Sequence, residues 1–169
     1  VLEGRKANQN NIKWKEKGII AMAIQTIFVV GAGLMGSGIA QTAIVNGYDV
    51  VLNDQRREAL ERAQMGIQKA LEREVEKGRM TQEAVEAALP RLALDDTIQG
   101  AKDADLVIEA VFENLEAKQA VFSQLEEICP PETTFASNPS SISLTGLAAA
   151  TKRPSRVVGM HFFSPVPKM

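Results

Sequence analysis

Two hydrophobic periods alternate along this chain, and their alternation predicts its architecture. Residues 24–30 form a compact apolar run of strand length, closed by glycine. A helical pattern follows over residues 34–46, with small side chains at Gly36, Ser37, Gly38 and Ala40 in the first turns and Gly47 as its stop. Residues 49–53 (Asp-Val-Val-Leu-Asn) read as a second strand. Over residues 57–77, Leu60, Ala63, Ile67, Ala70, Leu71 and Val75 recur at steps of three and four, the spacing of one buried helix face, and Gly78 ends the run. Thr81 opens another helix that Pro90 ends, and residues 92–94 give a brief third strand. Residues 104–110 predict a fourth strand, 115–128 an amphipathic helix closed by Pro130 and Pro131, 133–137 a fifth strand, 144–150 a short helix and 156–161 a sixth strand. Strands alternating with helices predict an α/β fold: a doubly wound, mostly parallel sheet with helices on both faces.

The turn between the first strand and the first helix carries the first sign of chemistry. It reads Gly31-Ala32-Gly33-Leu34-Met35-Gly36. Gly31 permits a tight turn, Gly33 lets backbone approach a pyrophosphate, and Gly36 lets the helix pack closely on the strand. The helix start offers backbone N–H groups and positive potential to phosphates, so Gly31, Gly33, Leu34, Met35 and Gly36 are expected to line a dinucleotide. Asp54 lies 18 residues after Gly36, at the end of the second strand. A carboxylate there accepts hydrogen bonds from both adenosine ribose hydroxyls and repels a 2′-phosphate, which favours NAD over NADP. Arg56 and Arg57 follow closely and work against that preference. A lone glycine fingerprint is weak evidence. Here the preceding strand, the following helix and the acidic residue agree, which makes the domain Rossmann-type.

Three later segments add polar residues at strand ends: Glu109-Ala110-Val111-Phe112-Glu113-Asn114 with Lys118, Ser137-Asn138-Pro139-Ser140-Ser141, and the run from His161 to Pro167. Ligands of open parallel sheets sit outside the carboxyl ends of the strands, so these segments are expected to converge on the dinucleotide. His161 is the single histidine of the chain. Oxidising a secondary alcohol needs a base for the hydroxyl proton while the hydride leaves, and imidazole suits that task. Ser140 or Asn138 is placed to hydrogen-bond the reacting oxygen; the bland reading is that they cap the following helix or shape the turn, and for Ser137 and Ser141 the bland reading is preferred.

Composition narrows the picture further. The chain has 169 residues, 45% of them hydrophobic, enough for one domain with a substantial core and not for two. A net charge of −2 argues against a nucleic-acid partner. No apolar run reaches the roughly 18 residues of a membrane span. The single cysteine, Cys129, reads as a small buried side chain near a helix end, and a chain with one cysteine fits a reducing, cytoplasmic setting. Residues 1–21 are polar and basic without a clear period, and Met22 directly precedes the first strand. They are expected to be a cloning-derived or flexible extension, with the dinucleotide domain occupying residues 22–169.

Taken together, Gly31 to Gln41, the Glu113-Asn114-Leu115 segment, Ser137-Asn138-x-Ser140-Ser141 and His161-Phe162-Phe163-x-Pro165-Val166-Pro167 give a sequence that resembles the NAD-binding domain of 3-hydroxyacyl-CoA dehydrogenases, including the bacterial 3-hydroxybutyryl-CoA type. The resemblance implies interconversion of L-3-hydroxyacyl-CoA and 3-ketoacyl-CoA with NAD. It implies His161 as base, Ser140 and Asn138 near the reacting oxygen, and Asp54, Glu113, Lys118 and Asn138 as NAD contacts. It also implies an acyl-CoA substrate along the long helix, where Lys77 matches a basic CoA contact and Ala70 stands where some members carry serine. A homodimeric parent is implied too. The family pairs the histidine with a glutamate shortly beyond this segment, followed by a helical C-terminal domain. The chain is therefore expected to bind NAD with little or no turnover by itself. The alternatives are a non-catalytic dinucleotide-binding protein of the lambda-crystallin type, which is similar to the same family, and another hydroxy-acid dehydrogenase.

Overall fold

The computed structural model of the chain describes residues 24–111, 114–138 and 143–168. The expected extension over residues 1–21 and the start at Met22 lie outside them. Six strands, β1 (Thr26–Val30), β2 (Asp49–Asn53), β3 (Leu92–Asp95), β4 (Leu106–Glu109), β5 (Thr134–Ser137) and β6 (Val157–Gly159), form one sheet in the order β3-β2-β1-β4-β5-β6. Every adjacent pair is parallel. Among the described residues, five α-helices accompany them: α1 (Leu34–Val45), α2 (Arg57–Glu76), α3 (Gln82–Ala88), α4 (Leu115–Ile128) and α5 (Leu144–Ala148).

The alternation of side chains along β1 explains the layering. Ile27 and Val29 join a core with Ile39 and Ile44 of α1, Leu60, Ile67 and Leu71 of α2, and Val85 of α3. Phe28 and Val30 point the other way, into a core with Phe122 and Leu125 of α4 and Leu147 of α5. Period-2 side chains on a strand buried on both faces thus recruit one helix layer each. A fully buried side chain of this size contributes about 1.5–3 kcal/mol of transfer free energy, so both layers are held mainly by the hydrophobic effect. The chain runs outward from β1 to β3 and then returns to β4 on β1's other side. That reversal opens a crevice at the carboxyl ends of β1 and β4, where such sheets bind ligands.

Most predicted elements recur with small shifts at their ends. The sixth strand differs most: it ends at Gly159, where the pattern predicts His161. Met160 N still donates to Ser137 O at 2.9 Å, but β5 stops at Ser137 and offers no further ladder. Arg156 belongs to a 3-10 turn (Pro154–Arg156) rather than to the strand. The long helix ends at Glu76, with Lys77 as its C-cap, and the short last helix ends at Ala148. Thr81 does cap α3, its Oγ1 accepting from Ala84 N at 3.2 Å.

Candidate active site

The glycine turn is built by contact as much as by conformation. Gly31 has φ +102°, and a Cβ there would come within 2.7 Å of Ala110 O on the neighbouring strand connection. A Cβ on Gly36 would overlap the Gly31 carbonyl oxygen. Both positions therefore exclude a side chain. Gly33 is different: a Cβ there would meet nothing within 4 Å. Gly33 is the N-cap of α1 without a capping side chain, and the first turn carries no acidic residue. The open approach to the helix start suits a phosphate. Leu34 is 77% exposed beside it and Met35 is half-buried.

Asp54 stands at the end of β2 and ties this turn down. Its Oδ2 accepts from Ala32 N at 3.1 Å, and its Oδ1 accepts from Arg56 N at 3.0 Å and Arg56 Nε at 3.3 Å. Burial pushes its carboxyl upward, but the two backbone amides and the Arg56 guanidinium together outweigh that and hold it below the ordinary carboxylate value. The group is thus ionised at neutral pH. Arg56 is partly committed to Asp54, and Arg57 lies near Glu61 at 3.5 Å and Asp96 at 3.9 Å. Their charge is therefore not wholly available to a 2′-phosphate. A cleft of about 550 Å³ opens in front of the turn, lined by Gly33, Leu34, Arg56, Arg62 and Val166 among others.

A buried polar cluster occupies the other side of the switch. Glu109 closes β4 and is fully buried. Its Oε1 accepts from Val111 N at 2.7 Å; its Oε2 accepts from Ser137 Oγ at 2.7 Å and lies 3.1 Å from Lys118 Nζ. Lys118 is fully buried too and donates to Asn138 O at 3.4 Å. Asn138 Oδ1 in turn accepts from Phe162 N at 3.0 Å. Among the described residues no buried side-chain nitrogen or oxygen lacks a partner.

The predicted residues fall as follows. Gly31, Gly33, Leu34, Met35, Gly36 and Asp54 share the rim at the ends of β1 and β2. Asn138 and Lys118 share the cluster at the ends of β4 and β5. His161 lies two residues past β6, exposed, its ring stacked on Phe163 with centroids 4.7 Å apart. Among the described residues it has no carboxylate partner. Glu113 and Ser140 lie outside the described residues, as does Ser141. Lys77 is exposed at the end of α2, 3.8 Å from Glu74, and Ala70 lines a cavity of about 600 Å³ between α1 and α2.

One expectation needs correction, and one alternative falls away. Ser137 neither caps a helix nor shapes a turn; its hydroxyl satisfies the Glu109 carboxylate, because a buried anion needs donors. The cap of α5 is Ser143, whose Oγ accepts from Gly146 N at 3.3 Å, so Asn138 has no capping role there. Glu109 lies in a segment expected at the site, but its place at the centre of the cluster was not anticipated. Its signal was a carboxylate closing an otherwise apolar strand.

A parallel sheet that reverses its order beside a glycine-turned helix start, with an acidic residue closing the second strand, is a dinucleotide-binding domain. Comparison places it more narrowly: the chain belongs to the family described as 3-hydroxyacyl-CoA dehydrogenase, NAD binding domain, whose model matches residues 26–169, and the dinucleotide is NAD. It is 48% identical over 148 residues to the Bacillus subtilis (strain 168) protein named "Probable 3-hydroxybutyryl-CoA dehydrogenase", covering 88% of this chain and 52% of that one. It is 49% identical over 146 residues to the 3-hydroxyadipyl-CoA dehydrogenase of Escherichia coli (strain K12), covering 86% of this chain and 31% of that one. The crystal structure of a 3-hydroxybutyryl-CoA dehydrogenase from Escherichia coli K12 superposes with a TM-score of 0.86 at 48% identity, over 88% of this chain and 31% of that chain. The chain thus spans about a third to a half of the length of these relatives.

Proposed function

We propose that this chain is the dinucleotide half of a dehydrogenase that interconverts L-3-hydroxyacyl-CoA and 3-ketoacyl-CoA. The observation that carries this reading is the bond from Phe162 N to Asn138 Oδ1, 3.0 Å long, which fastens the His161 loop to the end of β5 at the carboxyl rim of the sheet. A general base on that rim faces the crevice where the dinucleotide binds.

When bound, NAD⁺ supplies the hydride acceptor. Asp54 holds the adenosine ribose, and its negative charge disfavours a 2′-phosphate. The open approach at Gly33 and the start of α1 receive the pyrophosphate. Glu113, Lys118 and Asn138 contact the cofactor at the other end. His161 takes the proton of the substrate hydroxyl as the carbon–hydrogen bond gives up its hydride, so the alcohol becomes a ketone. Ser140 and Asn138 stand by the reacting oxygen. Lys77 meets the CoA portion. An acyl-CoA substrate, a place in fatty-acid metabolism, a homodimeric parent and a cytoplasmic setting complete the proposal. The relatives' names support the first, the acyl chain of such a substrate supports the second, the family resemblance supports the third and the single free thiol of Cys129 supports the last.

The test is a steady-state assay of the parent protein with acetoacetyl-CoA and NADH. His161→Gln should lower kcat by about 10²–10⁴-fold, the usual worth of a positioned acid or base. Equal turnover in the variant contradicts the assignment, and an inactive parent favours a dinucleotide-binding protein without catalysis.

A further inference from the structure

The proposed mechanism makes no use of Glu109, yet among the described residues this is the one carboxylate side chain that is fully buried. It is fully buried at the end of β4, in register with Val30 of β1, directly under the switch point. Three donors converge on it: Val111 N, Ser137 Oγ and Lys118 Nζ, at 2.7, 2.7 and 3.1 Å. A buried carboxylate with this many donors is a fixed point, because moving any of them exposes an uncompensated charge.

Two of those donors lead to His161. Ser137, whose hydroxyl meets Glu109, accepts through its carbonyl from Met160 N at 2.9 Å. Lys118 reaches Asn138 O at 3.4 Å, and Asn138 Oδ1 accepts from Phe162 N at 3.0 Å. Asn138 N also donates to Glu109 O at 3.1 Å. The backbone amides on both sides of His161 are therefore held by residues 137 and 138, and both of these are held by Glu109. The imidazole itself is exposed, and among the described residues the ring stacked on it is that of Phe163. Its position is set through its neighbours' main chain and not by burial of its own ring.

We infer that Glu109 is a positioning residue that sets the location of His161 through Ser137, Lys118 and Asn138. Glu109 touches neither substrate nor cofactor in this assignment. The inference rests on the proposed role of His161 for its functional meaning, but not for its test.

The test exploits the single histidine. In a ¹H–¹³C spectrum of the whole chain, the imidazole Cε1–H cross-peak belongs to His161 alone. Glu109→Gln keeps the shape of the side chain and the acceptor for Val111 N but removes the anion from Ser137 and Lys118. It should displace or broaden the His161 cross-peak. Ile67→Val, a core substitution in α2 far along the chain, lowers stability without touching these bonds and should leave the peak in place; this separates positioning from general destabilisation. If Glu109→Gln does not fold, Ser137→Ala removes one donor only and should shift the peak in the same sense. A folded Glu109→Gln, or Ser137→Ala in its place, whose His161 peak superposes on that of the wild type overturns the inference. In the parent protein, the same Glu109→Gln should lower kcat by on the order of a hundredfold, the scale of a small misplacement of a catalytic group. Should the parent prove inactive, the proposed function fails while the His161 spectrum still decides the role of Glu109.

Discussion

Single residues in the glycine turn separate folding from binding. Gly36 has no room for a methyl group because the Gly31 carbonyl fills the space, and backbone cannot step aside as a flexible side chain can. Gly36→Ala should cost about 1–3 kcal/mol or more in stability, as overpacking does, and abolish NAD binding with it. Gly33 has φ −75°, open to any residue, and open space around it. Gly33→Ala should leave stability within about 0.5 kcal/mol of the wild type. Its methyl group would nevertheless stand where the pyrophosphate approaches, weakening NAD on the order of tenfold, about 1.4 kcal/mol. Thermal melts paired with calorimetric titration read both effects; equal losses for the two variants would contradict the distinction. The order of the three glycines in the fingerprint predicts different roles but gives no physical measure of them. The neighbours' positions supply that measure: no room for a Cβ at Gly36 and open space at Gly33.

Asp54 offers a second residue-scale prediction. Losing charged hydrogen bonds to the ribose should cost Asp54→Ala about 1.5–3 kcal/mol, roughly ten- to a hundredfold in Kd for NAD, and narrow the preference over NADP. Because its pKa is lowered on folding, the stability it contributes is complete above the ordinary carboxylate value of 3.8 and is lost as pH falls through the lower folded value. NAD affinity should therefore not titrate on account of Asp54 between about pH 5 and 7. A carboxylate midpoint in that window, followed by NMR, would contradict the hydrogen bonds from Ala32 and Arg56.

At the scale of elements, the pattern of apolar positions was readable because the inner strands β1, β4 and β5 are buried on both faces and the long helix α2 on one. Capping was readable too. Thr81→Ala should remove the bond to Ala84 N and cost about 1 kcal/mol, seen as a lower denaturant midpoint with an unchanged slope; no shift would mean that α3 is held by packing alone. What the sequence hid lies where partners are distant along the chain. The end of β6 depends on where β5 stops, and β5 stops at Ser137. Ser137 itself reads as a turn serine until Glu109 is seen beneath it, 28 residues away. Lys118 reads as a cofactor contact, and nothing in its spacing announces the ion pair that holds its fully buried side chain against Glu109. Local composition cannot reveal an ion pair that the sheet assembles from β4 and α4.

Across the whole molecule, two rims meet at one crevice. The ends of β1 and β2 bring the glycine turn and Asp54, while the ends of β4, β5 and β6 bring the Glu109 cluster, Asn138 and the His161 loop. The family and its cofactor were legible from motifs because each motif sits at a strand end, and parallel topology carries all strand ends to one edge. The joining of the two rims was not legible, since it runs through buried bonds among residues that no motif connects. The central claim is that NAD spans both rims, with its nicotinamide end beside His161. Titrating the chain with NAD⁺ and, separately, with ADP-ribose, which lacks the nicotinamide, while observing the single imidazole cross-peak tests this directly. NAD⁺ should move the His161 peak well beyond any effect of ADP-ribose at saturation. A peak that stays in place at saturating NAD⁺, or moves equally with both ligands, would contradict the account.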